Sequence, residues 1–418
     1  MEQKKNSYSM GIIIIGILFF IFGFVTWLNA TLIPYLKIAC ELQHEWQGYL
    51  VTFAFYIAYF VMALPSSWVL RKTGYKNGMM LGLLVMAIGA LLFIPAAMTR
   101  TYGLFLLGLF IMGTGLSVLQ TASNPYVIEL GPAESAAQRV SIMGICNKVA
   151  GAISPLILGS IMLKDIDLLE AKLQTMDAVQ KAAELDLLAS KSIVPYVVIM
   201  VSLVVLALFV RFSPLPQIED PEEEEGSLQH GGKSSIFSFP HLWIGIVTLF
   251  LYVGVEVIAI DTIIGYAQSM KMDMDTARIF PTYGMIAMIV GYIIGIIAIP
   301  KYISQEKALA VSAALGVILG ICTVLLPGNI SIWCLTLLSL ANSLMWLAIF
   351  GLGRHTKTGS ALLIMAIAGG ALLPMLYGSL TTSMGHQGAY WMMLPCYLFI
   401  LYFAVAGHRV GIKHLYKK

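Results

Sequence analysis

Apolar stretches, each about as long as a bilayer is thick, recur from one end of this 418-residue chain to the other and limit what it can fold into. They fall at 10–36, 46–70, 77–98, 101–128, 139–163, 193–212, 242–269, 277–300, 305–326, 331–350, 358–383 and 387–407, which we number as spans 1 to 12. Crossing ~30 Å of hydrocarbon takes roughly 20 apolar residues in a helix. Lipid offers the backbone no hydrogen-bond partner, so each span is predicted to be helical. Composition agrees: 59% of residues are apolar and 11% charged, against about 25% charged in soluble domains. That is too little charge to cover a water-facing surface, which excludes a soluble enzyme and a nucleic-acid binder. The net charge of +3 implies no polyanionic partner. The five cysteines are scattered, mostly within apolar runs, and show no CxxC or metal-ligand spacing.

The basic start MEQKKNSYSM resembles a secretory leader, but the apolar stretch after it is too long and lacks a small-x-small cleavage site. It is expected to stay as the first membrane helix. Lys and Arg then set the orientation, because positive short loops are retained on the cytoplasmic side. With the N-terminus inside, 16 of them fall on the cytoplasmic side and 8 on the other, four of these in the 164–192 link. Both termini are therefore expected to be cytoplasmic, in a multi-pass membrane protein. The 213–241 link holds SPLPQIEDPEEEEGSLQHGGKSS and divides the chain into an N-terminal unit (1–212), an acidic cytoplasmic linker (213–241) and a C-terminal unit with a basic tail (242–418). Its acidic run reads as a solvated spacer.

The two units repeat. FGFVTWLNATLIPYL of span 1 aligns with VGVEVIAIDTIIGYA of span 7 at a shift of 231, matching Gly23 to Gly254, Thr31 to Thr262 and Tyr35 to Tyr266. ICNKVAGAISPLILG of span 5 aligns with IMAIAGGALLPMLYG of span 11 at a shift of 219, matching Gly151, Pro155 and Gly159 to Gly370, Pro374 and Gly378. Spans thus repeat six apart in the same order. The predicted fold class is an all-α membrane protein of twelve transmembrane helices, arranged as two six-helix bundles related by a parallel pseudo-two-fold, the major facilitator fold.

Of 47 charged residues, three lie deep within spans: Lys148 in span 5, and Glu256 and Asp261 in span 7. An ionised side chain at mid-bilayer costs at least ~2.5–3.5 kcal/mol, so these residues are expected to face a polar cavity, pair together or be neutralised. The structural alternative is a Lys148–carboxylate clamp between the units. Five residues apart, Glu256 and Asp261 diverge by ~140° around a regular helix and cannot face one ligand. Unwinding near Gly254 would relax this and let free carbonyls with one acid hold a small cation, giving a sodium site near Asp261. Otherwise one acid lines the cavity and the other meets a neighbouring helix. Lys148, Glu256 and Asp261 are the candidates for ion coupling.

Neutral amides and aromatic faces suit sugar hydroxyls. Asn29 lies near Trp27 in span 1, and Asn147 beside Lys148 in span 5. Gln120 and Asn124 share a face of span 4, as Asn342 and Trp346 do in span 10. Singly, such residues also glue membrane helices together; taken with Glu256 of span 7 they are spread over five spans and point to a shared cavity. The candidate substrate-binding set is Asn29, Gln120, Asn124, Asn147, Glu256, Asn342 and Trp346. No phosphate-binding glycine motif, nucleophilic triad or zinc pattern gives enzyme chemistry a foothold, and no cofactor is expected beyond a coupling ion, Na+ or H+.

At WLNATLIPYL, VLQTASNPYV, GICNKVAGAISP, YVGVEV and RHTKTGSALLIMAIAGGALLP the sequence resembles the fucose/galactose/glucose symporter branch of the major facilitator superfamily, and within it bacterial glucose/galactose transporters. The resemblance covers nearly the whole chain. It implies an inner-membrane carrier that imports a monosaccharide by alternating access, coupled to an ion. The proton-coupled fucose pattern has acids where this chain has Ala30 and Gln120; in the span 1/span 7 alignment, Ala30 falls opposite Asp261. Loss of both acids favours sodium over a proton, with proton coupling or no coupling as alternatives. Arg71 replaces the aspartate usual in the superfamily loop, at SSWVLRKTGYK.

The expected partners are a small sugar and the lipid bilayer, with no nucleic acid and function as a monomer. Glucose or galactose is favoured, with fucose or N-acetylglucosamine as alternatives. A non-transporting receptor or scaffold that docks partners through 213–241, and a multidrug or peptide carrier, are the rivals.

Overall fold

A computed structural model describes residues 2–131, 136–213, 215, 240–299, 301–345 and 364–409. Among them, nine helical stretches are long and apolar enough to cross a membrane. Two are double spans. Leu50–Thr99, 50 residues, would reach about 75 Å if straight, far beyond ~30 Å of hydrocarbon. It turns back at Gly74 (φ 72°, ψ 170°), and Ala366–Val405 does so at Gly385 (φ 72°, ψ 169°). Only glycine adopts that conformation without strain. With Gly328–Asn342, the described part of span 10, the count is twelve.

We name these helices by span: α1 (Glu2–Trp27, continued by Asn29–Ala39), α2 (50–73), α3 (75–91, continued by Phe93–Thr99), α4 (Tyr102–Glu129), α5 (Ala136–Met162), α6 (Ile193–Phe212), α7 (Pro240–Asp261, continued by Ile263–Ser269), α8 (Phe280–Ala298), α9 (Gln305–Leu325), α10 (Gly328–Asn342), α11 (369–384) and α12 (386–405). Their outer faces are apolar. On α6, Val194, Val198, Val205 and Phe212 form an exposed stripe, while Tyr196, Ile199, Leu203 and Leu206 turn inward. Such a stripe suits lipid, not water. In the 164–192 link, two short helices (Ile166–Leu173 and Ala178–Ser190) carry most of the acids and lysines, and the Asp177 carboxylate caps the second by accepting from Val179 and Gln180 backbone N–H at 3.0 and 2.8 Å.

Two six-helix bundles result. In the first, α1 packs on α5, and α2 and α3 on α4 and α6; in the second, α7 packs on α11 and α12, and α10 on α8 and α9. The repeat is visible in the packing. A Cβ on Gly23 of α1 would lie 2.0 Å from the Asn147 carbonyl of α5, and one on Gly254 of α7 would lie 2.1 Å from Leu373 of α11. The bundles meet where α5 crosses α8 and, by pseudo-symmetry, where α11 crosses α2, with α1 and α7 between them. The paired glycines lie on these seams: Gly159 faces Arg278 and Gly378 faces Tyr49, while Gly151 and Gly370 admit Trp27 and Tyr56.

The bundles are fastened at the end opposite the termini. There the Tyr49 and Tyr377 rings meet edge-on at 5.7 Å, and the Met274 backbone N–H donates to the Asp167 carboxylate at 2.7 Å. Toward the termini, contacts such as Lys76 Nζ to the Ser213 carbonyl (2.7 Å) and Gly11 against Leu130 stay within one bundle.

Of the two arrangements open to span 7, the structure shows the unbroken one. α7 does not unwind at Gly254; it is continuous to Asp261 and breaks at Thr262, because Gly254 serves a close approach to Leu373. The acidic run of the 213–241 link, and Trp346 with the RHTKTGSALL part of the span 11 motif, lie outside the described residues.

Candidate functional site

Where α1, α5 and α7 converge, four side chains form a chain of contacts. The Lys148 ammonium donates to Glu256 Oε1 at 2.8 Å, across 108 residues of sequence and from one bundle to the other. The same ammonium sits 4.3 Å from the centre of the Trp27 ring. Trp27 Nε1–H in turn donates to Asn147 Oδ1 at 3.2 Å. Local sequence explains the convergence: Gly23 and Gly151 let α1 and α5 approach, so Trp27, four residues beyond Gly23, lies over the α5 face that carries Asn147 and Lys148. The two charges cancel, and the aromatic face adds a favourable contact with the cation. All four residues are buried, with Lys148 and Glu256 keeping 6% and 7% exposure.

Asp261 stands elsewhere. It is 1% exposed, and its Oδ2 accepts a long bond, 3.4 Å, from the Thr52 hydroxyl of α2; its Oδ1 has no partner. Glu256 thus faces α5 and Asp261 faces α2, as two positions five apart on an unbroken helix must diverge. Ala30 and Trp27 of α1 pack with Ile260 of α7, Ala152 of α5, and Met285 and Met288 of α8 in a small apolar cluster that joins the bundles.

The amides are distributed differently. Asn29 is fully buried and neither its oxygen nor its nitrogen has a partner; Gln120 is buried with Oε1 unpartnered; Asn124, one turn on, is half-buried. Asn342 is held within the second bundle, where its Oδ1 accepts from the Tyr397 hydroxyl of α12 at 2.9 Å, leaving Nδ2 without a partner. Trp346 lies outside the described residues. The structure thus joins Lys148, Glu256 and Asn147 through Trp27, and sets Asp261 and Asn342 apart. Sequence reasoning passed over Thr52, and cited Trp27 only as a neighbour of Asn29. Thr52 gave no signal, being one hydroxyl among many; Trp27 gave one, since an aromatic four residues after a close-approach glycine faces the same neighbour.

Among the described residues, no group of three or more His, Cys, Asp or Glu is placed to hold a metal ion. What the site offers is a neutralised ion pair, an indole face and the Asn147 amide. This is the chemistry of a polyhydroxylated neutral ligand.

Comparison with known proteins agrees with the architecture. The family model for the Major Facilitator Superfamily matches residues 15–361. A glucose/galactose transporter of Brucella abortus is 34% identical over 416 residues, covering 97% of this chain and 96% of the relative. An L-fucose-proton symporter of Escherichia coli is 30% identical over 400 residues, covering 92% and 89%. The crystal structure of an E. coli fucose:proton symporter superposes with a TM-score of 0.73 at 27% identity, over 95% of this chain and 98% of that one. Twelve helices, the two-bundle repeat and these likenesses together make the chain a member of the Major Facilitator Superfamily, in its fucose/galactose/glucose symporter branch.

Proposed function

We propose that this protein imports a monosaccharide of the glucose/galactose type across a bacterial inner membrane by alternating access, coupled to a cation. Like its relatives it is not an enzyme. The observation that carries the reading is the buried Lys148–Glu256 pair beneath the Trp27 ring, at the junction of two repeats, where facilitators of this fold bind substrate. Asn147 and Glu256 are the groups we assign to sugar hydroxyls first, then Asn29, Gln120 and Asn124. Asn342 and Trp346 complete the set from the second bundle. The glucose/galactose transporters among the relatives support the substrate class.

The division at 1–212, 213–241 and 242–418 belongs to the same proposal, as does function as a monomer. The sorting of Lys and Arg supports cytoplasmic termini. The fastened end, with Tyr49 and Tyr377, is then periplasmic, and the conformation is one closed to the outside. Sodium is favoured as coupling ion, since Ala30 and Gln120 stand where the fucose pattern has acids. Purified protein in liposomes should accumulate labelled glucose or galactose, with fucose and N-acetylglucosamine as comparators, under an inward Na+ gradient. Accumulation driven solely by a pH gradient would defeat the sodium preference, and failure to bind or exchange any of the four sugars would defeat the function.

A further inference from the structure

We infer that Asp261, and not Glu256, carries the coupling cation, in a site at the crossing of α2 and α7 that includes the Thr52 hydroxyl. This rests on the sugar-carrier reading and assigns the cation within it. Both acids are on α7, yet their charge states differ by construction. Glu256 is already neutralised by Lys148 at 2.8 Å, so it needs no further cation. Asp261 has no such counterion: among the described residues no Lys, Arg or His forms an ion pair with it. It is 1% exposed, with one long hydroxyl bond and an Oδ1 that nothing meets. An ionised carboxylate so placed is costly in a low-dielectric interior, so in this conformation the group is neutralised at that oxygen, by a proton or by a bound monovalent cation. The facing stretch of α1 (Asn29–Ala39) packs on α7 and holds two further buried oxygens without partners, Asn29 Oδ1 and Thr31 Oγ1.

The position of the site couples it to the gate. Thr52 belongs to the first bundle and Asp261 to the second, at the end where Tyr49 and Tyr377 close the seam. Closure there buries Asp261, which is tolerable only with the cation bound. Release of the cation toward the opposite side leaves an uncompensated charge at the closed seam, and that favours reopening. A ligand with such unequal affinity for two conformations biases their equilibrium. The pseudo-symmetric partner of Asp261 is Ala30, so one charge-bearing position remains of the pair.

The test separates exchange from accumulation in liposomes. Exchange of internal for external sugar needs no gradient; accumulation needs the cation site. Asp261→Asn should keep exchange at a reduced rate and lose accumulation, under both an inward Na+ gradient and an inward pH gradient. In the wild-type protein, whichever gradient drives accumulation names the cation. Accumulation by Asp261→Asn at the wild-type level overturns the inference, and so does its losing exchange and accumulation together while remaining monodisperse, which would place Asp261 in sugar binding. If Asp261→Asn does not fold, Thr52→Val decides: it should raise several-fold the cation concentration needed for half-maximal accumulation, and an unchanged requirement overturns the inference. Failure of the sugar reading itself would show as no exchange by the wild-type protein.

Discussion

Removing the charge of Glu256 should strand Lys148. In Glu256→Gln the ammonium loses a partner at 2.8 Å and keeps the Trp27 ring at 4.3 Å. Breaking a buried ion pair from one side costs about 3–5 kcal/mol. A cation–π contact, about 0.5–2 kcal/mol, is already present in the wild type and cannot offset the loss. Allowing for the neutral amide's residual bond, the net penalty is on the order of 2–4 kcal/mol, or roughly 30- to 1,000-fold in the population of any conformation that buries Lys148. Glu256→Gln should therefore reach the membrane at normal levels yet melt at a lower temperature in detergent, and its sugar uptake should fall sharply. The double variant Lys148→Met, Glu256→Gln leaves no charge to strand, so its melting temperature should recover while uptake stays low. Wild-type uptake by the double variant would show that the pair is only a structural clamp. Wild-type uptake by Glu256→Gln alone would refute the energetic argument as well.

Other perturbations test separate parts of the structure. Lys148→Ala should impair uptake with normal expression, and rates equal to wild type would leave Lys148 a structural role only. A side chain at Gly378 would place Cβ 2.3 Å from the Tyr49 ring, so Gly378→Val should hinder closure of that end; in a cysteine-free background, a cysteine at Thr381 should then react faster with an impermeant maleimide, and unchanged labelling would count against the seam. Gly385→Ala forces an L residue to a φ of 72°, at a cost on the order of 1–3 kcal/mol, and should lower thermal stability measurably; a neutral result would mean that the turn relaxes. Replacing 219–226 by a neutral spacer should leave transport intact, and loss of transport would refute the reading of that acidic run as a solvated spacer.

What could be read early was what depends on one residue at a time or on fixed spacing. Gly74 and Gly385 illustrate the limit: each was one glycine among 38, yet both hold the same left-handed backbone conformation where one long helix turns back into the next, α2 into α3 and α11 into α12. The Gly151/Gly370 and Gly159/Gly378 pairs were legible as a repeat; that they line the two seams was not, because a glycine does not record which helix approaches it.

The sequence alone determined that the chain spans a membrane many times, because apolar length and charge are properties of consecutive residues that the bilayer reads directly. It also determined the duplication, and it isolated Lys148, Glu256 and Asp261, because an ionisable group in hydrocarbon stands out whatever its neighbours. Only the tertiary structure decided who meets whom. Glu256 found Lys148 and a neutral environment, while Asp261, five residues on, found Thr52 and none. The helix rotation that separates them follows from how the bundles cross, and crossing is set by packing between residues more than a hundred positions apart.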